Sequence, residues 1–281
     1  MRKHIFEMLS EYFNFDNETR IIWMLFSRKI ITLKKGIDVN KYTPSQLLDN
    51  HGFENWKARG RAISCSDMSL RLGIESLLRK QDKDMNDAFI ILEYVMNICK
   101  QCDIFTKNVV GYQKDHDYYL LWKNCNIFIE NFGYEIFYIE EDQKLIIVEK
   151  KPATTAAAEI SKEETARKII EYNHYTLKGD TSRKREIILN LANEIEPQRK
   201  VLHQIKSSVS DNLFFLLNNL NLRHNNIDPN NDHYKKYVAE MNSIELEKWY
   251  DETYQLILLS KLLLDDVNHD LEINTLKSKM K

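Results

Sequence analysis

Few positions in this chain can interrupt a helix: its 281 residues include only seven glycines and four prolines. These two residue types break helical segments most strongly, so most of the sequence must be read from the spacing of its apolar residues. That spacing is helical over long stretches. Ile21, Ile22, Leu25, Phe26 and Ile30 fall on one face behind Asp16 or Asn17 as cap, which predicts a helix over 17–35. Thr43-Pro44 opens a second helix with proline in its first turn. Asp67 is placed to cap residues 68–79, and over residues 84–102 Phe89, Leu92, Val95, Met96 and Cys99 share a face. The first residues, Met1-Arg2-Lys3, are basic as a secretory leader is, but Glu7 and Glu11 interrupt any apolar core and leave an amphipathic helix.

Between residues 113 and 153 the pattern changes. A helix over 113–131 ends at Asn131-Phe132-Gly133, with the glycine as a left-handed cap. Two runs rich in β-branched and aromatic residues follow, 134–139 and 144–149, flanking the polar turn 140–143, which predicts a β-hairpin. Lys150-Lys151-Pro152 closes it. From residue 154 the chain is helical again, with helices expected over 159–177, over 181–196 behind Gly179-Asp180, and from Pro197 onward. Another is expected over 212–223 behind Ser210 or Asp211, then a short one over 234–241 and a long one over 243–266. The last is apolar almost all round, so it is buried on several sides or pairs with another chain. The expected fold is mainly α: an N-terminal helical module (1–112), a helix with a β-hairpin (113–153) and a C-terminal helical bundle (154–281).

Composition narrows the function classes. No apolar run approaches the roughly 18 residues that a membrane-spanning helix needs, so no membrane partner is expected. The formal charge is −2, without the overall basic field that drives unspecific nucleic-acid binding, and any RNA contact must be local. Four scattered cysteines, Cys65, Cys99, Cys102 and Cys125, are too few for a disulfide framework and point to a reducing cytoplasm. Cys99 and Cys102 have the spacing of a thiolate pair, but no second pair follows, and core packing is the preferred reading. His174 and His203 lack a second ligand one turn away, so no metal or other cofactor is expected.

The segment Leu222-Arg223-His224-Asn225-Asn226 has the richest chemistry. Arginine binds phosphate bidentately and histidine moves a proton near neutral pH, so Arg223 with His224 could act on a phosphodiester, flanked by the amides of Asn225 and Asn226 as RNA contacts. The same residue types also serve as an ordinary helix end, hydrogen-bonding orphan carbonyls. Glu247 and Asp251, one turn apart, are placed to orient Arg223 or His224. A second basic element, Lys178 followed by Gly179-Asp180 and then Arg183, Lys184 and Arg185, would suit the RNA backbone or form a solvated helix start.

Residues 154–266 resemble the HEPN superfamily, specifically the C-terminal domains of bacterial abortive-infection-like proteins. The likeness rests on residues 216–226, where an arginine followed by a polar residue ends a core helix, and on residues 246–255. It implies a dimer or higher oligomer whose paired Arg and His residues meet at its axis, metal-independent endoribonuclease activity, and a role in anti-phage defence or a toxin system. Arg223 carries over and His224 takes the polar position. The family's histidine follows after about four to six intervening positions, whereas here His233 lies ten residues past Arg223 and serves only if the 227–232 loop folds back. The other reading is a non-catalytic dimerising module whose N-terminal half binds a protein partner.

Overall fold

Ile30-Ile31-Thr32 ends the first expected helix early. In the computed structural model, which describes residues 14–107 and 109–280, helix α1 spans Phe15–Phe26 and is capped by Asn14, whose side chain accepts the Asn17 N–H at 3.0 Å. The amphipathic helix expected over 1–11 lies outside the described residues. Instead of continuing α1, Ile31–Lys35 forms strand β1, because β-branched side chains favour the extended backbone. It pairs antiparallel with β2 (Asp38–Tyr42) and with β3 (Tyr112–Lys114), in the order β2-β1-β3, with Leu33 opposite both Asn40 and Tyr112. The close approach at β3 requires Gly111: at its φ of +101° a Cβ would lie 2.4 Å from the Lys34 carbonyl oxygen.

The described residues form two units divided between Val148 and Glu149, mainly helical with two small sheets. In the first unit α2 (Pro44–His51) opens at Thr43-Pro44 as expected, and Thr43 and Gln46 form a capping box on it. Residues 65–79 are two helices rather than one: α3 (Cys65–Arg71), capped by Ser64, and α4 (Ile74–Arg79), separated by Gly73 in a left-handed conformation. Asp84 caps α5 (Met85–Thr106), the centre of the unit, where Phe89, Ile91, Leu92, Val95 and Ile98 are fully buried. Helix α6 spans His116–Asn131, three residues shorter than expected because residues 112–114 belong to β3. Gly133 has φ +77°, and β4 (Tyr134–Ile139) pairs with β5 (Lys144–Glu149) as the predicted hairpin.

The free edge of β5 is closed by side chains of α5. Glu93 Oε2 accepts the Ile147 N–H at 3.1 Å. Asn97 accepts the Leu145 N–H at 2.7 Å and donates to its carbonyl at 2.8 Å, and Gln101 donates to the Gln143 carbonyl at 2.7 Å. Four helical residues rise about 6 Å and two strand residues about 6.6 Å. Residues spaced by four on α5 therefore keep step with residues spaced by two on the hairpin.

In the second unit α7 (Pro152–Glu159) ends where Ser161 Oγ donates to the Ala157 carbonyl at 2.7 Å. The helix expected over 159–177 is consequently split into α8 (Glu163–Glu171) and a 3-10 turn, Tyr175–Leu177. Then come α9 (Thr181–Ile195), capped by Asp180, α10 (Arg199–Ile205), α11 (Ser207–Asn219), the short α12 (Lys236–Ala239) and α13 (Ser243–Lys279). Helix α11 begins ahead of Ser210, which is fully buried within it rather than capping it. The long helix α13 is buried on several sides by α7, α9, α10 and α11. Its Tyr254 hydroxyl donates to the Ile169 carbonyl at 2.7 Å and accepts from Asn173 at 2.9 Å, while its ring stacks on Tyr172 at 3.9 Å.

Asn97→Ala is expected to destabilise the protein by about 2–4 kcal/mol, since it leaves the buried Leu145 N–H and C=O without partners. Urea unfolding measures this, and a loss below about 0.5 kcal/mol would show that these groups find other partners.

Candidate functional site

Arg223 lies beyond the helix that was expected to carry it. Helix α11 stops at Asn219, and Asn221 adopts a left-handed φ of +54°, a conformation asparagine tolerates better than most residues. The loop that follows is organised by Asn226, which is fully buried. Its Oδ1 accepts the Asn221 N–H at 2.8 Å, its Nδ2 donates to the His233 carbonyl at 2.7 Å, and its own carbonyl accepts the Lys235 N–H at 2.8 Å. Asn226 is therefore an internal clamp and does not face a ligand, in contrast to its expected role as an RNA contact; Asn225 is exposed.

The clamp folds 227–232 back. His233, ten residues past Arg223, stacks on His224 with ring centroids 4.0 Å apart and planes 23° from parallel. His233 is exposed and His224 half-buried. Two imidazoles this close can divide proton transfer between them, one accepting and one donating.

Arg223 forms an ion pair with Glu196, at the end of α9, and lies over the Phe214 ring with Cζ 5.4 Å from its centroid. Glu247 and Asp251 do not orient it. A second guanidinium, Arg199, lies over the same ring at 4.3 Å; it is exposed, and no carboxylate pairs with it among the described residues. Glu196, Arg199 and Phe214 have no signal in the sequence near residue 223, because α9, α10 and α11 bring them together only in the folded unit.

Three of the four cations of the basic run are bound within the unit. Lys184 is buried, 2.7 Å from both Glu247 and Asp251. Arg183 pairs with Glu171 at 2.5 Å and Glu186 at 2.7 Å. Arg185 donates to the carbonyls of Asn221 at 2.6 Å and Leu222 at 2.5 Å, serving the helix-end role once open to Arg223. Gly179 does open an anion site, but the anion is the protein's own: its N–H donates to Glu247 Oε1 at 2.8 Å. Only Lys178 of the four cations is exposed. Burial alone would raise the Glu247 pKa, yet the Gly179 N–H and the Lys184 ammonium outweigh it and hold the carboxyl below its ordinary value of 4.5. Burial, reinforced by the Asp251 charge, pushes the Tyr172 phenol well above its ordinary range.

All four cysteines are buried and unpaired. Cys99 and Cys102 pack in the core on α5, and burial raises their thiol pKa values, so neither is a thiolate at neutral pH. Among the described residues no group of three His, Cys, Asp or Glu side chains is placed to hold a metal, and no helix is long and apolar enough to cross a membrane. No family model, curated protein or solved structure matches this chain.

Asn226→Ala is expected to release the loop and separate the imidazoles, read as loss of the mutual ring-current shifts of the His224 and His233 ring protons by NMR. Unchanged shifts would show that the stack forms without the clamp. For Glu247, a carboxyl held below its ordinary pKa contributes stability above about pH 4.5, lost as pH falls through the lower folded value. Thermal melts from about pH 6 down to pH 3 should therefore fall more steeply for the wild type than for Glu247→Gln. Equal slopes would assign the acid sensitivity to other carboxylates.

Proposed function

We propose that the second unit is a metal-independent endoribonuclease module of HEPN type, acting as a dimer in a bacterial anti-phage or toxin system. The observation that carries this reading is the stacking of His233 on His224 at 4.0 Å beside Arg223, which supplies the second imidazole that sequence spacing alone leaves ten residues away. In the proposed reaction one imidazole removes the proton from a ribose 2′-hydroxyl, which attacks the adjacent phosphorus. The bond to the 5′-oxygen breaks as the other imidazole donates a proton to it, leaving a 2′,3′-cyclic phosphate and a 5′-hydroxyl. The guanidinium of Arg223 would stabilise the charge that develops on the phosphoryl oxygens. To reach substrate it must exchange Glu196 for the phosphate, so the ion pair is a resting arrangement that RNA displaces.

A second reading is favoured by that same ion pair. Arg223 is already matched by Glu196 and seated on Phe214, with its side chain only 19% exposed, as a structural arginine would be. On this reading the unit is a non-catalytic HEPN-like module that dimerises, and the N-terminal half binds a protein partner.

Cleavage of total RNA or tRNA in excess EDTA separates the two. The ribonuclease reading expects cyclic-phosphate ends, loss of about 100-fold or more in rate for Arg223→Ala, His224→Ala and His233→Ala, a bell-shaped pH profile, and a several-fold gain for Glu196→Gln. Equal behaviour of the wild type and a folded Arg223→Ala variant would leave the interaction module as the standing reading.

A further inference from the structure

Helix α13 continues past Leu264, the last buried apolar side chain among the described residues, to Lys279. Along this stretch Ile273 (47% exposed), Leu276 (52%) and, at the C-cap, Met280 (76%) face solvent. With His269 they recur at alternating spacings of four and three, the seam of a two-helix pair. Asp270 and Lys277 flank this seam on one side, and Glu272 and Lys279 on the other; all four are exposed.

We propose that residues 269–280 pair antiparallel with the same segment of a second copy, Ile273 of each chain opposite Leu276 of the other. The charges select both the occupant and the direction. A two-fold axis between residues 274 and 275 faces Asp270 with the second copy's Lys277, and Glu272 with its Lys279. Symmetry repeats both, so every flanking charge meets its opposite in another molecule of the same sequence. A parallel pair in this seam would keep only the Glu272–Lys277 contact in each direction, and one turn earlier it would place Asp266 against its own copy and Asp265 against Asp270, both repulsive. The seam lies on the far end of α13 from Tyr254 and Asp251, and the proposal is independent of any ribonuclease chemistry.

Sedimentation equilibrium of the full chain over micromolar concentrations tests this. The wild type should dimerise reversibly. Reversing the acidic pair (Asp270→Lys with Glu272→Lys) or the basic pair (Lys277→Glu with Lys279→Glu) should each weaken self-association by about tenfold or more. An equimolar mixture of the two variants should recover association as a heterodimer, which also shows that both remain folded. A wild type that stays monomeric to about 100 µM, unchanged association in either variant, or a mixture that fails to associate would each overturn the proposal.

Discussion

The second unit depends on a buried ammonium. Lys184 is buried and is matched by two carboxylates from the first turns of α13, Glu247 and Asp251. Removing both partners would leave the ammonium uncompensated in a low-dielectric interior, and the two contacts together hold α9 and α13 to one relative rotation. With α9 fixed, Arg185 and Glu196 point where the loop after α11 needs them. They lie eleven residues apart, about three turns, and so share a face. One donates to the Asn221 and Leu222 carbonyls, and the other accepts from Arg223. The placement of the candidate site is thus inherited from an ion cluster that takes no part in its chemistry.

That arrangement also explains why a run with four cations in eight residues exposes only Lys178. Its glycine turn, Lys184, Arg183 and Arg185 are each answered by groups inside the unit, and the anion-binding geometry at Gly179 is filled by Glu247. A phosphate arriving there would have to displace a covalently tethered carboxylate. Arg199, exposed on the Phe214 ring that Arg223 also covers, is instead a cation that no carboxylate pairs with among the described residues.

Features governed by near neighbours were legible in the sequence. Thr43 and Asp180 cap the helices they were expected to open, and the hairpin follows from two β-branched runs around a polar turn. The misses come from competition between levels. Ile30 continues a helical spacing, but the β-branched run it opens can pair with residues 112–114, some eighty positions away, and that pairing decides the outcome. Residues 220–223 continue the apolar run of α11 until Asn221 adopts a left-handed conformation, a choice enforced by Asn226 from the far side of the turn. The approach of His233 to His224 depends on the same clamp, and no periodicity encodes it. Glu196 and Arg199 were invisible for a related reason, since proximity across helices leaves no trace in spacing.

The polar stripe Glu93, Asn97 and Gln101 on α5 has a consequence for how the protein behaves in a crowded solution. A two-stranded hairpin ordinarily presents open backbone to any extended chain that drifts past, which is the usual starting point for aggregation. Here a helix supplies the missing hydrogen bonds in the rhythm of a strand, yet offers no further edge of its own. Growth of the sheet is terminated without proline, bulge or surface charge, and the apolar run Leu145-Ile146-Ile147-Val148 stays in the folded chain with no template exposed on that side.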